Sequence, residues 1–346
     1  MGHRASASYI LPLGALLAAT LGFTAPAPAA LDESAAAAVS IRSVDAILYG
    51  PSALDVFRHP RNLTADSARG IFLIADTGNQ RLVTFDRRGR SRGSVQYDPS
   101  LEAMARRLVE PASLAFDRQG RVFLVDAMAT DIEVLSPTGT HIGYLHPPLP
   151  EDLEGQARPK AIAIGASGRI YLLCAGKRSG VLVLDALGRF EGQIGFPETA
   201  AGSWLSPIAI AVNHEETEIA VIDPQASRQI AIHAMDGSLL AAFGEHGEGD
   251  GTFSMAVHAV WGPEGNLWVT DTIRHSISIL DRRGEYRGRI GGFGTGPGQF
   301  KYPAACAFLA PDQLVVLERG DSRCQVIRLE IEGLPPDQGE EASAEP

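Results

Sequence analysis

The chain has 346 residues, 45% of them apolar and 21% charged, and a formal net charge of −11. That length is too great for one ordinary layered core but suits a repeat architecture, and the apolar share is enough for a folded body. The acidity excludes broad binding to nucleic acid or anionic membranes and leaves room only for a local basic patch.

The first thirty residues read as a secretory signal. Arg4 sits in a short polar start, YILPLGALLAATLGF (9–23) is an apolar stretch too short for a comfortable membrane span, and APAPAA (25–30) offers small residues to a peptidase. Cleavage is expected after Ala29, with Ala27 at the −3 position; the alternative is an uncleaved anchor. No cysteine follows the site, which argues against a lipoprotein, and nothing downstream is long and apolar enough to span a bilayer. The mature chain is therefore expected in the periplasm or outside the cell, with residues 30–42 as a linker.

From residue 43 the pattern changes to short alternating runs between glycine-bearing turns. RNLTA (61–65), GIFLIAD (70–76), RLVTFD (81–86) and SRGSVQY (91–97) predict four antiparallel strands. A short helix is predicted over 99–110. The unit then recurs. Asp76, Asp126, Cys174, Asp223, Asp271 and Glu318 occupy one position, 47 to 50 residues apart. Four strands per unit at that period predict a six-bladed β-propeller, all-β, spanning 43–333. The last unit lacks a fourth strand, whereas SVDAILYGPSALDVFRHP (43–60) matches the interblade link YRGRIGGFGTGPGQFKYP (286–303). The N-terminal strand should therefore complete the last blade and remove two exposed edges.

Pro60, Pro111, Pro159, Pro207, Met255 and Pro303 open the innermost strands in this alignment. Four residues on, Thr64, Ala115, Ala163, Ala211, Ala259 and Ala307 supply the small side chains that a crowded axis needs. Cys174, Cys306 and Cys324 are expected as small buried apolar residues. Cys306 and Cys324 fall on nonadjacent strands of one blade, too far apart for a bridge. The tail LPPDQGEEASAEP (334–346) has the composition of a disordered acidic segment.

The run ADTGNQR, the D-x-x-G turn and the GxxGxGxGxF…P link resemble NHL repeats, most strongly at 76–86 and 271–303. The resemblance implies a six-bladed propeller used mainly as a binding platform, with a minority of enzymes among its relatives. On that basis the chain is expected to be a non-enzymatic interaction scaffold of the bacterial cell envelope, a monomer or part of an envelope complex. Its partner would be a protein or an envelope polymer, and its ligand face the one carrying the loops between second and third strands. Those loops should display Asn79, Arg81, Asp131, Lys177, Arg178, Arg228, Arg274, His275, Asp321 and Arg323. Arginine forks there would suit carboxylates or an anionic glycan. With 27 arginines against three lysines, however, any single arginine is weak evidence.

The alternative is a metal-dependent lyase or lactonase working in the central channel. The amidating lyase among NHL relatives uses several channel histidines, and only His258 lies on an innermost strand here. The calcium lactonase type needs acidic and amide ligands, for which Asn62, Ser113 and Glu110 are the available equivalents. His258 was aligned with Leu63, Leu114, Ile162, Ile210 and Cys306, so that His258 and Cys306 on adjacent blades could approach each other; two such groups are too few for a zinc site. Glu245, His246, Glu248 and Asp250 offer oxygens to calcium but align with an interblade link. No cofactor is expected, with calcium as the remaining candidate.

Overall fold

The computed structural model describes residues 39–96, 110–147, 157–176, 179–195 and 204–331. The alternating runs fold as six four-stranded antiparallel sheets, each built outward from the axis. The first blade is β2 (Asn62–Asp66), β3 (Ile71–Asp76), β4 (Arg81–Asp86) and β5 (Ser91–Gln96). The second is β6 (Pro111–Phe116), β7 (Val122–Asp126), β8 (Ile132–Leu135) and β9 (His141–Leu145). The third is β10 (Ala157–Ile164), β11 (Ile170–Gly176), β12 (Gly180–Leu184) and β13 (Phe190–Gly195). The fourth is β14 (Ala209–Val212), β15 (Glu218–Ile222), β16 (Arg228–Ala234) and β17 (Leu239–Glu245). The fifth is β18 (Ala256–Trp261), β19 (Leu267–Asp271), β20 (Ser276–Leu280) and β21 (Tyr286–Gly291). The sixth takes β22 (Pro303–Ala310), β23 (Gln313–Glu318) and β24 (Arg323–Ile331) from the end of the chain, and β1 (Val39–Leu48) from its beginning.

Closure follows the sequence expectation. β1 pairs antiparallel with β24, placing Val44 opposite Ile327 and Ile47 opposite Gln325. It begins at Val39, so the strand reaches into the stretch expected to be linker. Innermost strands touch in ring order from β2 through β6, β10, β14, β18 and β22 back to β2. The helix expected over 99–110 falls outside the described residues except for Glu110, as do the signal segment and the acidic tail.

Each blade is buried on both faces by its neighbours, which is why the second and third strands read as short continuous apolar runs. Phe72, Ile74 and Phe85 of the first blade pack against Ala305, Val315 and Leu317 of the sixth. Trp268 is fully buried and meets Phe308 edge-on at 5.1 Å. Burying a side chain of that class contributes about 1.5–3 kcal/mol. All three cysteines are buried and unbridged, and burial pushes the Cys174 and Cys306 thiols up to about 12.

Candidate functional site

The repeated acid at the end of each second strand is a structural staple. Asp76 Oδ1 accepts the Arg58 N–H at 2.7 Å, and Asp126 Oδ2 accepts that of Glu110 at 2.9 Å. Asp223 takes Leu205 N–H at 2.6 Å, Asp271 takes Ser254 N–H at 2.7 Å, and Glu318 takes Lys301 N–H at 2.7 Å. In each case a carboxylate fixes the link that enters its own blade to the turn that follows the acid. Charge-assisted bonds of this kind are the strong ones. Cys174 cannot make one, so the third blade lacks this fastening.

Three of the arginines expected to face a ligand are instead consumed by the same fastening. Arg81 donates Nε to Asp76 and Nη1 to Asp55, both at 2.7 Å, and is 6% exposed. Arg274 clamps the carbonyls of Gly247 and Gly249 at 2.6 and 3.0 Å. Arg323 is fully buried and donates to Glu318, Thr295 O and Gln299 O at 2.6–2.8 Å. Burial is the largest influence on the Arg323 guanidinium and pulls its pKa down, but the hydrogen bond to Glu318 helps bring the net shift upward. Arg274 and Arg323 lie beside the incoming link and take its backbone carbonyls, whereas Arg81 is held by the two carboxylates of Asp76 and Asp55.

The other rim residues are also engaged. Asn79 donates to Asp76 and to Val56 O. Asp131 meets His146 at 2.9 Å, Asp321 meets Lys301 at 3.0 Å, and exposed Arg228 meets Glu245 at 3.0 Å. His275 Nδ1 accepts the Tyr302 N–H, and its ring lies 4.9 Å from Phe293 and 4.7 Å from Tyr302. Lys177 and Arg178 fall outside the described residues. A concavity of about 490 Å³ between the two hairpins of the first blade holds Arg69, Arg87, Arg90 and Arg92. These four are satisfied internally, by Asp66, Ser67 O and Asp86, whereas the guanidinium of Arg88 on the same wall has no partner among the described residues.

What remains open is the centre of the loop face. The starts of the innermost strands enclose a funnel of about 360 Å³. Its cationic side chains are Arg61, Lys160 and Arg319, from the first, third and sixth blades. Glu110 pairs with Arg61. The Arg319 pKa is lowered, first by burial and then by repulsion from Arg61. None of these three cations was singled out in the sequence, yet two carried a signal. Arg61 and Lys160 follow the strand-opening prolines directly, a position held by Ala112, Ile208 and Ala304 elsewhere. In the second, third and sixth blades that residue is bulged out of the ladder.

His258 belongs to this funnel, but in a different register from the one expected. It pairs with Thr270, the residue before Asp271. Its equivalents are therefore Asn62, Ser113, Ala161, Ala209 and Ala305, which pair with the residues before the repeated acid in their own blades. The fifth blade has one extra residue ahead of its inner strand, so Ala256 rather than Met255 takes the proline position, and Ala259 is not the equivalent of Ala307. Cys306 lies one step further along, in the core between the fifth and sixth blades, where the Thr270 hydroxyl donates to its sulfur at 3.6 Å. His258 and Cys306 thus face different places and form no metal pair. Burial holds the His258 imidazole down at about 4, and its Nδ1 has no hydrogen-bond partner.

The donors in the funnel do not suit a divalent cation. Glu110 is held by Arg61, the Ser113 hydroxyl accepts the Ile162 N–H at 3.2 Å, and Asn62 is neutral. Three cations surround them. In the link at 245–250, Glu245 is engaged by Arg228 and His246 by Gln229 at 3.1 Å. Among the described residues no three His, Cys, Asp or Glu side chains gather as metal ligands.

No family model matches the sequence, and no curated protein matches it. The fold is similar to that of several solved proteins. A protein of unknown function from Bacteroides thetaiotaomicron superposes with a TM-score of 0.62 at 15% identity, over 84% of this chain and 76% of that one. A gluconolactonase from Xanthomonas campestris gives 0.58 at 15% identity, over 79% and 87%. The calcium-binding protein regucalcin from Agrobacterium tumefaciens gives 0.55 at 14% identity, over 85% and 96%. At such identities the shared property is the fold: the described chain is a six-bladed β-propeller with gluconolactonase-like neighbours, and Lys160 and Arg319 in its central funnel have no side-chain partner among the described residues.

Proposed function

We propose that this is an exported, non-enzymatic binding propeller of the NHL type that takes its ligand at the centre of the loop face. The observation that carries the reading is the contrast between two sets of cationic side chains. Those on the rim close hydrogen bonds within the fold, whereas Arg319 and Lys160 at the funnel mouth have no side-chain partner among the described residues. A pocket that gathers like charges without partners gains nothing for folding and is a candidate site on physical grounds. Rigid display by stacked blades supplies the mechanism: the closed ring fixes six strand starts, and their side chains select the ligand.

The gluconolactonase and regucalcin neighbours favour a second reading, a calcium-dependent lactonase in the same funnel. Glu110 would have to leave Arg61 to serve it. The purified chain should be assayed with gluconolactone in the presence of calcium. Turnover that requires calcium and is lost in Glu110→Gln would replace the binding reading; no turnover beside saturable ligand binding supports it.

A further inference from the structure

We infer that the funnel ligand is an amphipathic organic anion, its acidic group seated by Arg319 and Lys160 and its apolar body lying against the fourth and fifth blades. This rests on the reading of the funnel as the binding site and adds the chemistry of the ligand.

The funnel wall is divided. The first, third and sixth blades contribute Arg61, Lys160 and Arg319, whereas Ile208 and Ile210 of the fourth and Met255 and Val257 of the fifth form an apolar arc interrupted only by the neutral imidazole of His258. Met255 is 38% exposed although it is a large apolar side chain at the mouth. Arg61 is neutralised by Glu110. Lys160 and Arg319 are not neutralised by any described residue, and the Arg319 guanidinium is held close enough to Arg61 for repulsion to lower its pKa.

Each half excludes a simpler ligand. An inorganic anion would pair the cations and leave the apolar arc wetted. A neutral apolar molecule would cover the arc and bury the cations unpaired, which is costly. A ligand carrying one acidic group on an apolar frame satisfies both. A volume of about 360 Å³ holds a small organic molecule, near the lower end of ordinary ligand pockets. His258, on the wall of the same funnel, stays neutral at neutral pH because burial holds its pKa down, so it adds no charge to the cationic side.

The test uses the full chain and two dyes. 8-Anilinonaphthalene-1-sulfonate is an aromatic anion, and N-phenyl-1-naphthylamine is its neutral parent. Saturable binding of the sulfonate is expected, at least tenfold tighter than that of the neutral dye. The double variant Lys160→Gln, Arg319→Gln should weaken the sulfonate roughly tenfold or more, the effect of losing one charge-assisted contact, and leave the neutral dye unchanged. Ala304→Trp fills the funnel without altering charge and should abolish binding of both dyes. Circular dichroism and melting show that each variant is folded. Equal sulfonate binding by the parent and the double variant, with loss in Ala304→Trp, would overturn the anion assignment and leave the funnel as the site. Dye binding indifferent to Ala304→Trp would overturn the funnel reading and the inference together.

Discussion

Replacing Asp271 with asparagine tests whether the repeated acid is a staple. The side chain is fully buried. Oδ2 accepts the Ser254 N–H at 2.7 Å, while Oδ1 accepts those of Met255, Ile273 and Arg274 at 3.2, 3.0 and 3.0 Å. Asparagine has the same shape but one acceptor. Whichever way its amide sits, an NH₂ group faces backbone donors with no solvent to relieve it. The loss combines a charge-assisted hydrogen bond, about 1.5–3 kcal/mol, with an unpaired buried donor, about 1–3 kcal/mol. A total near 3–5 kcal/mol corresponds to a drop in Tm of roughly 6–15 °C, since 1 kcal/mol moves a large domain by a few degrees. Scanning calorimetry reads the drop, and hydrogen exchange should show the Ser254 amide losing protection first, because a ring of blades opens locally. Asp236→Asn, in an exposed turn, serves as the control and should melt with the parent. If Asp271→Asn melts with the parent too, the staple is wrong and the recurring acid needs a chemical explanation.

Further outcomes follow from the same contacts. Arg323→Met leaves Glu318 buried without its cation and frees two link carbonyls, a loss of about 3–5 kcal/mol; denaturant unfolding reads it, and sulfonate-dye affinity should stay at the parental value. The unfolded chain protonates His258 near its ordinary 6.5 but the folded chain only near 4, so this residue destabilises the fold progressively as pH falls through that window, by up to roughly 3 kcal/mol. His258→Leu should therefore gain stability relative to the parent between pH 7 and 4.5, and a difference that does not change with pH would refute the burial. Deleting residues 1–48 removes β1 and bares the β24 edge, which should produce soluble oligomers or aggregate by size-exclusion chromatography; a stable monomer of unchanged Tm would mean that closure contributes little.

The fold was legible because it repeats. Six occurrences of one position, five of them acidic, at a nearly fixed interval and a spare strand at the start of the chain required a closed ring, and the pairing of β1 with β24 closes it. The register failed where the repeat itself slips. The fifth blade has no opening proline and one more residue, so matching Met255 to the prolines displaced His258 by one position. In a strand one position exchanges faces, and the error set Cys306, which faces the interblade core, beside His258 in the channel. The rim arginines failed for another reason. A sequence shows that an arginine lies at a loop but not that the neighbouring link leaves its carbonyls unpaired, so Arg274 and Arg323 looked available when the backbone had already taken them.

That distinction is also what separates fold from function in this chain. An arginine at the start of a third strand and an arginine just after the repeated acid are chemically identical, and Arg323 and Arg319 are only four residues apart. The first donates to Glu318 and to the carbonyls of Thr295 and Gln299, so the fold accounts for it completely. The second faces Arg61, across a funnel whose other side is apolar, and the fold accounts for none of its charge. Blade geometry makes such a gathering hard to avoid once the residues are in place, because the strand starts of the blades line one funnel and the residue after the opening proline is bulged out of the ladder in the second, third and sixth. Small or apolar residues at Ala112, Ile208 and Ala304 show what packing alone asks for there. Arg61 departs from that requirement with Glu110 as its partner, whereas Lys160, in a separate blade, departs from it with no partner among the described residues, and on the reading proposed above the acidic group of the ligand would supply one.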